Sequence, residues 1–320
     1  MKYIFVVNPV AGKGKLASSL VEKINEVASS KGVDYEVYLT KSLGDGCEYV
    51  KKAASEYSGE LAFFACGGDG TVCEVANGIM ACADRERLYL GIVPAGTGND
   101  FVRNFTDPKQ FLDIGAQLEH TDMEMDLVSC NGDYCVNMIN IGFDCQVVCH
   151  KEALQQNKLF PPKLAYVGGL LITLIKKPGL DCRISFDGKE AESKKLLLTT
   201  VGNGEYCGGG FHSNPESILN GGKLNVITVD NVTRLKFLSL VGSYKNGTHL
   251  KYTDVIGSHN ATAVVYEFDT ETNYSIDGDV KSAKTLELKC ESRAIKLIVP
   301  KNCEYLKKEV KDGATEPCRA

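Results

Sequence analysis

Hydrophobic and polar positions alternate in a regular rhythm over the first hundred residues. Short apolar runs, each typical of a strand buried on both faces of a sheet, occupy residues 3–7, 35–39, 61–65 and 88–93. Segments with helical periodicity lie between them, at residues 16–30, 46–57 and 73–80. Strands that alternate with helices predict a doubly wound parallel α/β sheet. Because ligands of such sheets bind at the carboxyl ends of the strands, the loops that follow the four runs should converge on one crevice.

The pattern changes beyond about residue 124. Asn131 and Gly132 give a hairpin signal, and a helical segment follows from about residue 146 to residue 176, interrupted by Pro161 and Pro162. From residue 181 to residue 298 the chain consists mostly of short strand-like runs separated by Asp-Gly, Asn-Gly and Gly-Gly turns. This arrangement predicts a second unit, an antiparallel β-sandwich.

Composition narrows the class of protein. A length of 320 residues suggests about two domains, and a net charge of −5 with a pI near 5.7 argues against nucleic acid as the main partner. The thirteen cysteines include no CxxC pair and mostly adjoin apolar residues, which favours a reducing cytoplasm over a disulfide framework. Residues 1–7 are too short for a leader, and the longest apolar stretch, around residues 170–175, is far below the roughly 20 residues of a membrane span. We therefore expect a protein that is not integral to a membrane.

The sequence Cys-Gly-Gly-Asp-Gly-Thr-Val at residues 66–72 stands between an apolar run and a helical segment. Its three glycines allow the backbone to approach a phosphate closely, and the amides at the helix start would attract an anion. A carboxylate among phosphate-binding amides makes sense if a cation lies between them, so Asp69 suggests Mg²⁺. The alternative is an ordinary tight strand-to-helix turn. The loop at residues 8–15, rich in glycine and lysine, does not satisfy the Walker A pattern, and a solvated basic loop is an equal alternative there.

Longer motifs extend this picture. The first half contains Asn-Pro-x-Ala-Gly at residues 8–12, Gly-Gly-Asp-Gly-Thr at 67–71 with Glu74, and Pro-x-Gly-Thr-Gly-Asn-Asp-Phe at 94–101. The second half adds Asn-Ile-Gly-Phe at 140–143, Gly-Asn at 202–203, Gly-Gly-Gly-Phe at 208–211 and Asp-Gly at 277–278. In these motifs and in their order, essentially the whole chain resembles the bacterial diacylglycerol kinase and lipid kinase family.

The resemblance implies an ATP-dependent kinase that phosphorylates a lipid hydroxyl. It also implies an N-terminal α/β domain related to those of NAD kinases and phosphofructokinases, and a second, β-sandwich domain that holds the lipid. The end of the chain returns to the first domain in this family. We therefore expect residues 1–125 and 293–320 to form the nucleotide-binding domain, and residues 126–292 to form the lipid-substrate domain.

Carried over motif by motif, the resemblance assigns a nucleotide site. Its residues would hold the ATP phosphates or line the same pocket: Asn8, Gly12, Thr40, Gly67, Gly68, Asp69, Gly70, Thr71, Val72, Cys73 and Thr97. Asp69, Asp100 and Asp126 resemble the aspartates that position the catalytic Mg²⁺. The alternatives are a helix N-cap for Asp100 and a strand-end turn residue for Asp126. The assignment agrees with the physical interpretation of the glycine turn, since phosphoryl transfer depends on charge neutralisation and in-line positioning.

Two positions depart from the family pattern, and the first concerns the catalytic base. Where the family has Asp-Gly-Glu, with the Glu as the proposed base for the substrate hydroxyl, this chain has Asp277, Gly278 and Asp279. Asp279, with Asp277 beside it, is the candidate catalytic carboxylate, and its shorter side chain withdraws the oxygens by about 1.5 Å. A misplacement near 1 Å can cost about 100-fold in rate unless the backbone compensates. An exposed hairpin turn is the alternative for this segment.

The second departure lies at residues 220–225, where the family pattern is Asp-Gly-x-Leu-Asp and the first Asp binds a structural Mg²⁺. Gly221 occupies the position of that Asp and supplies no carboxylate. The backbone carbonyls of Ile218 and Lys223 could remain as ligands, but uncharged oxygens bind Mg²⁺ weakly. We expect this structural ion to be absent or weakly held.

The leading hypothesis is a lipid kinase that uses ATP and Mg²⁺, most simply one that converts diacylglycerol into phosphatidic acid. Two alternatives stay open: a soluble-substrate kinase of the NAD kinase type, and a catalytically weak nucleotide- or lipid-binding regulator. The lipid would be presented at a membrane surface, so we expect a cytoplasmic protein in transient, peripheral contact with the inner face of the membrane, with a homodimer left open. The segment at residues 159–177 mixes apolar residues with lysines and faces either lipid head groups or, as we expect, the sandwich.

Overall fold

The first half of the chain forms a parallel sheet. The computed structural model describes residues 1–14, 17–156, 164–176 and 179–307. The first four strands are β1 (Lys2–Val7), β2 (Tyr35–Leu39), β3 (Leu61–Gly67) and β4 (Leu88–Pro94). They pair in parallel in the order β4-β3-β1-β2. Every residue of β3 is buried, as the continuous apolar run predicts for a central parallel strand.

Helices cover both faces of this sheet. On one face, α2 (Asp45–Glu56) and α3 (Asp69–Met80) bury Val50 and Val75 against the strands. On the other face, α1 (Ala17–Lys31) and α4 (Ile114–Leu118) bury Ile24 and Ile114. The arrangement confirms the predicted doubly wound α/β architecture.

One helix begins earlier than the sequence predicts. The periodicity places its start at residue 73, whereas α3 begins at Asp69 and only Gly68 separates it from β3. Two of the three glycines at residues 67–70 therefore stand outside the helix and one lies in its first turn. Glycine weakens helical periodicity, so the pattern alone misplaces this boundary.

The second half is mainly antiparallel. Strands β5 (Thr121–Cys130) and β6 (Asp133–Cys135) form the predicted hairpin, in which Asn131 has φ 48° and Gly132 has φ 96°, as a type I′ turn requires. The remaining elements follow in chain order: β7 (Met138–Gly142), α5 (Phe143–Gln156), α6 (Ala165–Lys176), β8 (Leu180–Phe186), β9 (Glu192–Gly202), β10 (Leu224–Asp230), α7 (Arg234–Lys245), β11 (Ile256–Ala261), β12 (Ala263–Ile276) and β13 (Asp279–Val299).

Two of these elements correct the sequence-based expectation. Helix α7 interrupts a region predicted as strands, and its Thr233 cap accepts a hydrogen bond from the Lys236 amide at 3.3 Å. Helix α5 begins at Phe143, three residues before the predicted start. The predicted interruption at Pro161 and Pro162 lies outside the described residues.

The long strand β13 joins the two halves of the molecule. It pairs antiparallel with β12 and β5, and near its end it runs parallel to β4, with Lys296 opposite Tyr89. Its register against β5 shifts between Glu291 and Ile295, where Arg293 has φ 50°. The end of this strand therefore lies beside the first sheet, while the expected domain limits stay a prediction.

Candidate active site

Two glycine loops pack directly against each other at the carboxyl edge of the parallel sheet. A Cβ atom on Gly96 would lie 2.4 Å from the Cα of Gly68, and a Cβ atom on Gly67 would lie 2.2 Å from Thr71 Oγ1. The amides of Ala95 and Gly96 both donate to the Gly67 carbonyl, at 2.8 and 3.1 Å. The glycines are therefore required for the close approach of the two loops. The amides of Thr71 and Val72 donate to the Gly68 carbonyl at 2.9 and 3.2 Å, so the amides of Asp69 and Gly70 are the ones that the helix leaves unsatisfied beside that contact.

Several predicted nucleotide-site residues meet at this edge. Asn8 Nδ2 donates to Thr71 Oγ1 at 3.2 Å, and Asn8 Oδ1 accepts from the Val10 amide at 3.1 Å. Gly12 has φ 57°, and the Thr40 amide donates to the Val7 carbonyl at 2.9 Å, so both follow strands that end here. Gly68, Asp69, Gly70 and Thr97 line one cavity at the helix start, next to Gly67. Asn8 contacts this group through Thr71, whereas Gly12 and Thr40 make no hydrogen bond with it among the described residues.

Val72 and Cys73 are placed differently, because their side chains are turned into the protein. Val72 is buried in the core beneath the sheet. The Cys73 thiol donates to the Tyr134 carbonyl at 3.4 Å, and burial raises the pKa of that thiol. Only the backbone of these two residues is left to face a nucleotide.

Asp69 and Asp100 are the pair of carboxylates beside the glycine loops. Asp69 Oδ1 accepts from the Asp100 amide at 3.0 Å, and Asp100 Oδ2 accepts from the Gly209 amide at 2.8 Å. Burial, and then the nearby charge of Asp100, raise the pKa of Asp69 to about 6. A Cβ atom on Gly98 would lie 3.0 Å from Asp69 Oδ2 and 3.6 Å from Asp100 Oδ2, so both oxygens face the same small volume.

This pair fits a magnesium ion that takes most of its ligands from elsewhere. In the described part of the chain no three histidine, cysteine or acidic side chains form a group that could hold a metal by themselves. Mg²⁺ at phosphoryl-transfer sites commonly takes one or two carboxylates and completes its octahedron with phosphate oxygens and water. Asp69 and Asp100 supply that number of carboxylates.

Asp126 is not brought to this pair. It lies in β5 and is fully buried, with Oδ2 accepting from the Gly222 amide at 2.6 Å and Oδ1 accepting from the Arg293 amide at 2.8 Å. The bulge in β13 leaves the Arg293 amide without a strand partner, and Asp126 satisfies it. The expected network of three aspartates is thus limited, in the contacts of the described residues, to Asp69 and Asp100.

The loop predicted to hold a structural ion is closed by protein hydrogen bonds. The Ile218 carbonyl accepts from the Gly221 amide at 3.1 Å, and the Gly222 amide is bonded to Asp126. A Cβ atom on Gly221 would lie 3.0 Å from the Cβ of Ile218, so an aspartate there would have to displace its neighbour. Lys223 follows this turn and is exposed.

Asp277 and Asp279 flank the β12–β13 turn but have different surroundings. Asp277 has φ 47°, and its carboxylate accepts from the amides of Val136, Asn137 and Met138 at 2.7, 3.0 and 2.9 Å. These bonds, with one from the Cys135 thiol at 3.2 Å, make Asp277 a positioning residue for the segment before β7 rather than a free acid or base.

Asp279 is the carboxylate that is available for chemistry. It lines the same cavity as Asp69 and Asp100, and its carboxylate makes no hydrogen bond or ion pair with the described residues. Burial raises the pKa of Asp279, although Lys281 opposes the shift. A raised pKa moves a carboxylate towards the range in which it accepts a proton effectively near neutral pH.

One cavity of about 650 Å³ connects these groups with an apolar chamber. Its polar end is formed by the glycine loops, Asp69, Asp100 and Asp279. Its other end is lined by side chains of β9, β10, α5, α6 and α7, among them Phe143, Val147, Leu170, Leu198, Phe237 and Leu240. Most of these walls carry no sequence motif, and only Asn-Ile-Gly-Phe at residues 140–143 and Gly-Gly-Gly-Phe at residues 208–211 mark this region.

The cavity also contains a half-buried acid that the sequence did not reveal. Asp144 lies among the apolar walls, and Asp144 Oδ2 accepts a hydrogen bond from the Tyr244 hydroxyl at 3.4 Å. Burial raises the pKa of Asp144 to about 6. The carboxylate therefore has one long hydrogen bond where a buried charge would ordinarily have several.

Two domain families match the chain: the diacylglycerol kinase catalytic domain over residues 2–130, and the YegS C-terminal NAD kinase beta sandwich-like domain over residues 137–299. A Yersinia enterocolitica protein named "Probable lipid kinase YegS-like" is 28% identical over 285 residues, which cover 86% of this chain and 90% of that protein. A solved structure from Bacillus anthracis strain Sterne, provisionally named a diacylglycerol kinase, is 25% identical, with a TM-score of 0.73 over 93% of this chain and 94% of that one. Yeast NADH kinase, at 9% identity and a TM-score of 0.50 over 94% of this chain and 84% of that one, shares the fold alone.

Both halves are matched in order, and the glycine motifs, the acidic pair and an apolar chamber meet in one cleft. The family match over residues 137–299 also confirms the expected sandwich-like domain. The chain therefore belongs to the bacterial lipid kinase family that joins a diacylglycerol kinase catalytic domain to a YegS-type sandwich domain, and it is an enzyme of the kinase class.

Proposed function

We propose that this enzyme transfers the γ-phosphate of ATP to the hydroxyl of diacylglycerol and so forms phosphatidic acid. The observation that carries the proposal is the continuity of the cavity, which has phosphate-binding loops at one end and an apolar chamber at the other. A lipid with two acyl chains and one free hydroxyl matches that polarity. Its chains would fill the chamber and its hydroxyl would lie near Asp279.

Each polar group then has a role. The free amides of Asp69 and Gly70 at the start of α3, with the loop at residues 94–98, would bind the phosphates of ATP. Asp279 would accept the proton of the lipid hydroxyl as that oxygen attacks the γ-phosphorus. Asp69 and Asp100 would hold Mg²⁺, which when bound neutralises charge on the transferring phosphoryl group. Asp277 would fix the turn that carries Asp279.

The lipid would be drawn from a membrane surface, and an exposed apolar patch supports that route. The patch, here called the apolar rim, consists of Leu164, Val167, Leu171, Ile175, Leu235 and Leu238, and it includes side chains 72% exposed at Ile175 and 81% exposed at Leu235. The Arg234 guanidinium donates to the carbonyls of Leu174 and Ile175, at 3.0 and 2.6 Å, and so holds α7 against α6. Among the described residues, no helix is both long and apolar enough to cross a bilayer.

The apolar rim adjoins the chamber, because Leu170, on the neighbouring face of α6, lines the cavity. Exposed apolar groups flanked by Lys151, Lys176 and Lys236 suit the surface of an anionic membrane. Flotation with vesicles of phosphatidylcholine and phosphatidylglycerol tests this contact. The double variant L171S/I175S should lose binding, whereas Leu112→Ser, which alters an exposed leucine of the first domain, should retain it.

The reaction itself is tested with radiolabelled ATP and diacylglycerol in mixed micelles. Label should appear in phosphatidic acid, and Asp279→Asn should reduce turnover at least about 100-fold because the amide cannot accept the proton. The matched control is Asp34→Asn, because Asp34 is exposed and its carboxylate makes no hydrogen bond or ion pair with the described residues. Label on NAD⁺ instead of lipid would identify a kinase of the NAD kinase type. ATP binding without transfer to any lipid or nucleotide would identify a regulator.

A further inference from the structure

Two polar side chains in the middle of the cavity have no partner for their buried atoms. Asn140 on β7 stands directly opposite Ser275 on β12 in the antiparallel register. Both residues line the cavity, and Ser275 is fully buried. Asn140 Oδ1 and Ser275 Oγ make no hydrogen bond within the described chain. Buried polar atoms without partners are uncommon, because each costs free energy on folding.

A neighbouring buried side chain on the next strand does have a partner. Thr200 on β9, which stands opposite Asn140 on its other flank, is also buried, yet its hydroxyl donates to Asn214 Oδ1 at 2.7 Å. The Asn140 amide nitrogen is not buried and makes no hydrogen bond with the described residues, so it is free to donate into the cavity. The pair thus offers an N–H group and an O–H group at one point of the wall.

The position of the pair matches one part of a glycerolipid. Ser275 stands opposite Val280, the residue after Asp279, so the Cα atoms of Ser275 and Asp279 are about 6 Å apart. Asn140 lies just before Phe143, where the apolar walls begin. In a diacylglycerol, five bonds of about 1.2–1.5 Å separate the free hydroxyl oxygen from the nearest ester carbonyl oxygen, and the acyl chain starts at that carbonyl.

We propose that Asn140 and Ser275 form a carbonyl-binding subsite that holds the ester next to the phosphorylated hydroxyl. The Asn140 side-chain N–H group and the Ser275 hydroxyl donate to the carbonyl oxygen, which gives the Ser275 hydroxyl the partner that it lacks in the free protein. This subsite rests on the proposed function and narrows it: the preferred substrate is an acyl ester, and an ether lipid with the same chains binds less well. The two residues are positioning residues, since neither touches the transferring phosphoryl group.

The test compares diacylglycerol with a dialkylglycerol of equal chain length, which has the hydroxyl but no carbonyl. In wild type the KM for the diester should be about two- to tenfold lower per hydrogen bond, with similar kcat for both lipids. In Ser275→Ala and Asn140→Ala the KM for the diester should rise towards the diether value, while the KM for the diether stays unchanged. Equal KM values for the two lipids in wild type, or a preference that survives both substitutions, would overturn the subsite.

Stability provides a second readout that a merely structural role would not reproduce. Because the Ser275 hydroxyl has no partner, Ser275→Ala should leave the Tm unchanged or raise it. The matched control is Ser217→Ala, which removes an equally buried hydroxyl that donates to the Gly202 carbonyl at 3.2 Å. It should lower the Tm and keep the lipid preference. A clear loss of Tm in Ser275→Ala would contradict the inference.

Failure of the carbonyl-binding subsite can be distinguished from failure of the proposed reaction. If neither lipid is phosphorylated, the proposed reaction fails, and equilibrium binding of the two lipids in micelles without ATP then decides the subsite. Tighter binding of the diester by wild type, lost in Ser275→Ala, would support it. Equal binding of both lipids would refute it.

Discussion

Asp144 should make the folded protein less stable at neutral pH than at mildly acidic pH. Its carboxylate lies in the cavity with one long hydrogen bond, from Tyr244, and its pKa is raised from 3.8 to about 6 by burial. A folded-state pKa above the unfolded value means that the folded state binds the proton more tightly. The stability cost is therefore absent below about pH 4, develops between pH 4 and pH 6, and is complete above pH 6. Two pKa units correspond to at most about 3 kcal/mol, and partial access of cavity water reduces this to about 1–3 kcal/mol.

The substitution Asp144→Asn removes the charge and keeps the shape. At pH 8 it should raise the free energy of unfolding by about 1–3 kcal/mol, and the gain should disappear as the pH falls to 4. Urea unfolding followed by far-UV circular dichroism, in steps from pH 4 to pH 8, measures this directly. A stability difference that does not change with pH would show that the Tyr244 hydrogen bond, not the charge, governs this site.

A second aspartate, whose pKa is lowered and not raised, provides a control for which the change in stability should have the opposite sign. Asp187 is exposed, and its carboxylate accepts from the Thr262 hydroxyl and from the amides of Thr262 and Ala263 at 2.7, 2.8 and 3.0 Å. The hydrogen bond from Thr262 is the main reason why the pKa of Asp187 is lowered. Asp187→Asn should therefore lose stability above pH 4, and its difference from wild type should shrink on acidification. If both variants had the same pH profile, the assignment of the effect to the two carboxylates would be wrong.

Three further predictions concern the site and its supports. The pKa of Asp69 near 6 predicts that kcat/KM for ATP falls as the pH drops below 6, and a flat profile from pH 5 to pH 8 would contradict it. Gly96→Ala places a Cβ atom 2.4 Å from the Cα of Gly68, so it should destabilise the fold by about 1–3 kcal/mol and raise the KM for ATP. Its control is Gly242→Ala in α7, where the Cβ position is open, and this variant should stabilise the fold by about 0.5–1 kcal/mol in thermal unfolding. Asp277→Ala leaves the donors of four hydrogen bonds without an acceptor, so the free energy of unfolding in urea should fall by at least about 3 kcal/mol. A loss of turnover without a loss of stability would instead make Asp277 catalytic.

The parallel sheet could be predicted because its strands are buried on both faces and are therefore continuously apolar. Helix α7 could not be predicted in this way, since it is apolar on two sides. Phe237 and Leu240 line the cavity, while Leu235 and Leu238 belong to the apolar rim. A helix with two apolar sides has no clear amphipathic period, so its sequence resembles a buried strand.

The acidic residues show a different limit of sequence reasoning. The family resemblance assigned Asp69, Asp100 and Asp279 to the site, and all three line one cavity. The same reasoning grouped Asp126 with them and could not separate Asp277 from its neighbour. Asp126 accepts from the backbone amide of Arg293, and Asp277 accepts from the backbone amides of residues 136–138. Backbone amides are present in any sequence, so no motif marks these partners. Only the path of the chain determines where such amides point.

The position of Asp279 depends on the direction of the long strand β13. Asp279 begins the strand, and the bulge at Arg293 lies up to about 45 Å away along it, at about 3.3 Å per residue. Pairing with β12 and β5 holds the strand along this length. If these paired strands rotated together by one degree at the bulge, their far end would move by about 0.8 Å, close to the misplacement of about 1 Å that can cost a reaction about 100-fold. Asp126 stabilises the bulge by accepting a hydrogen bond from the Arg293 amide. Under the proposed function, the buried carboxylate of Asp126 thus helps to hold the strand that carries the proposed base, Asp279, although its own hydrogen bonds are made at the other end of that strand.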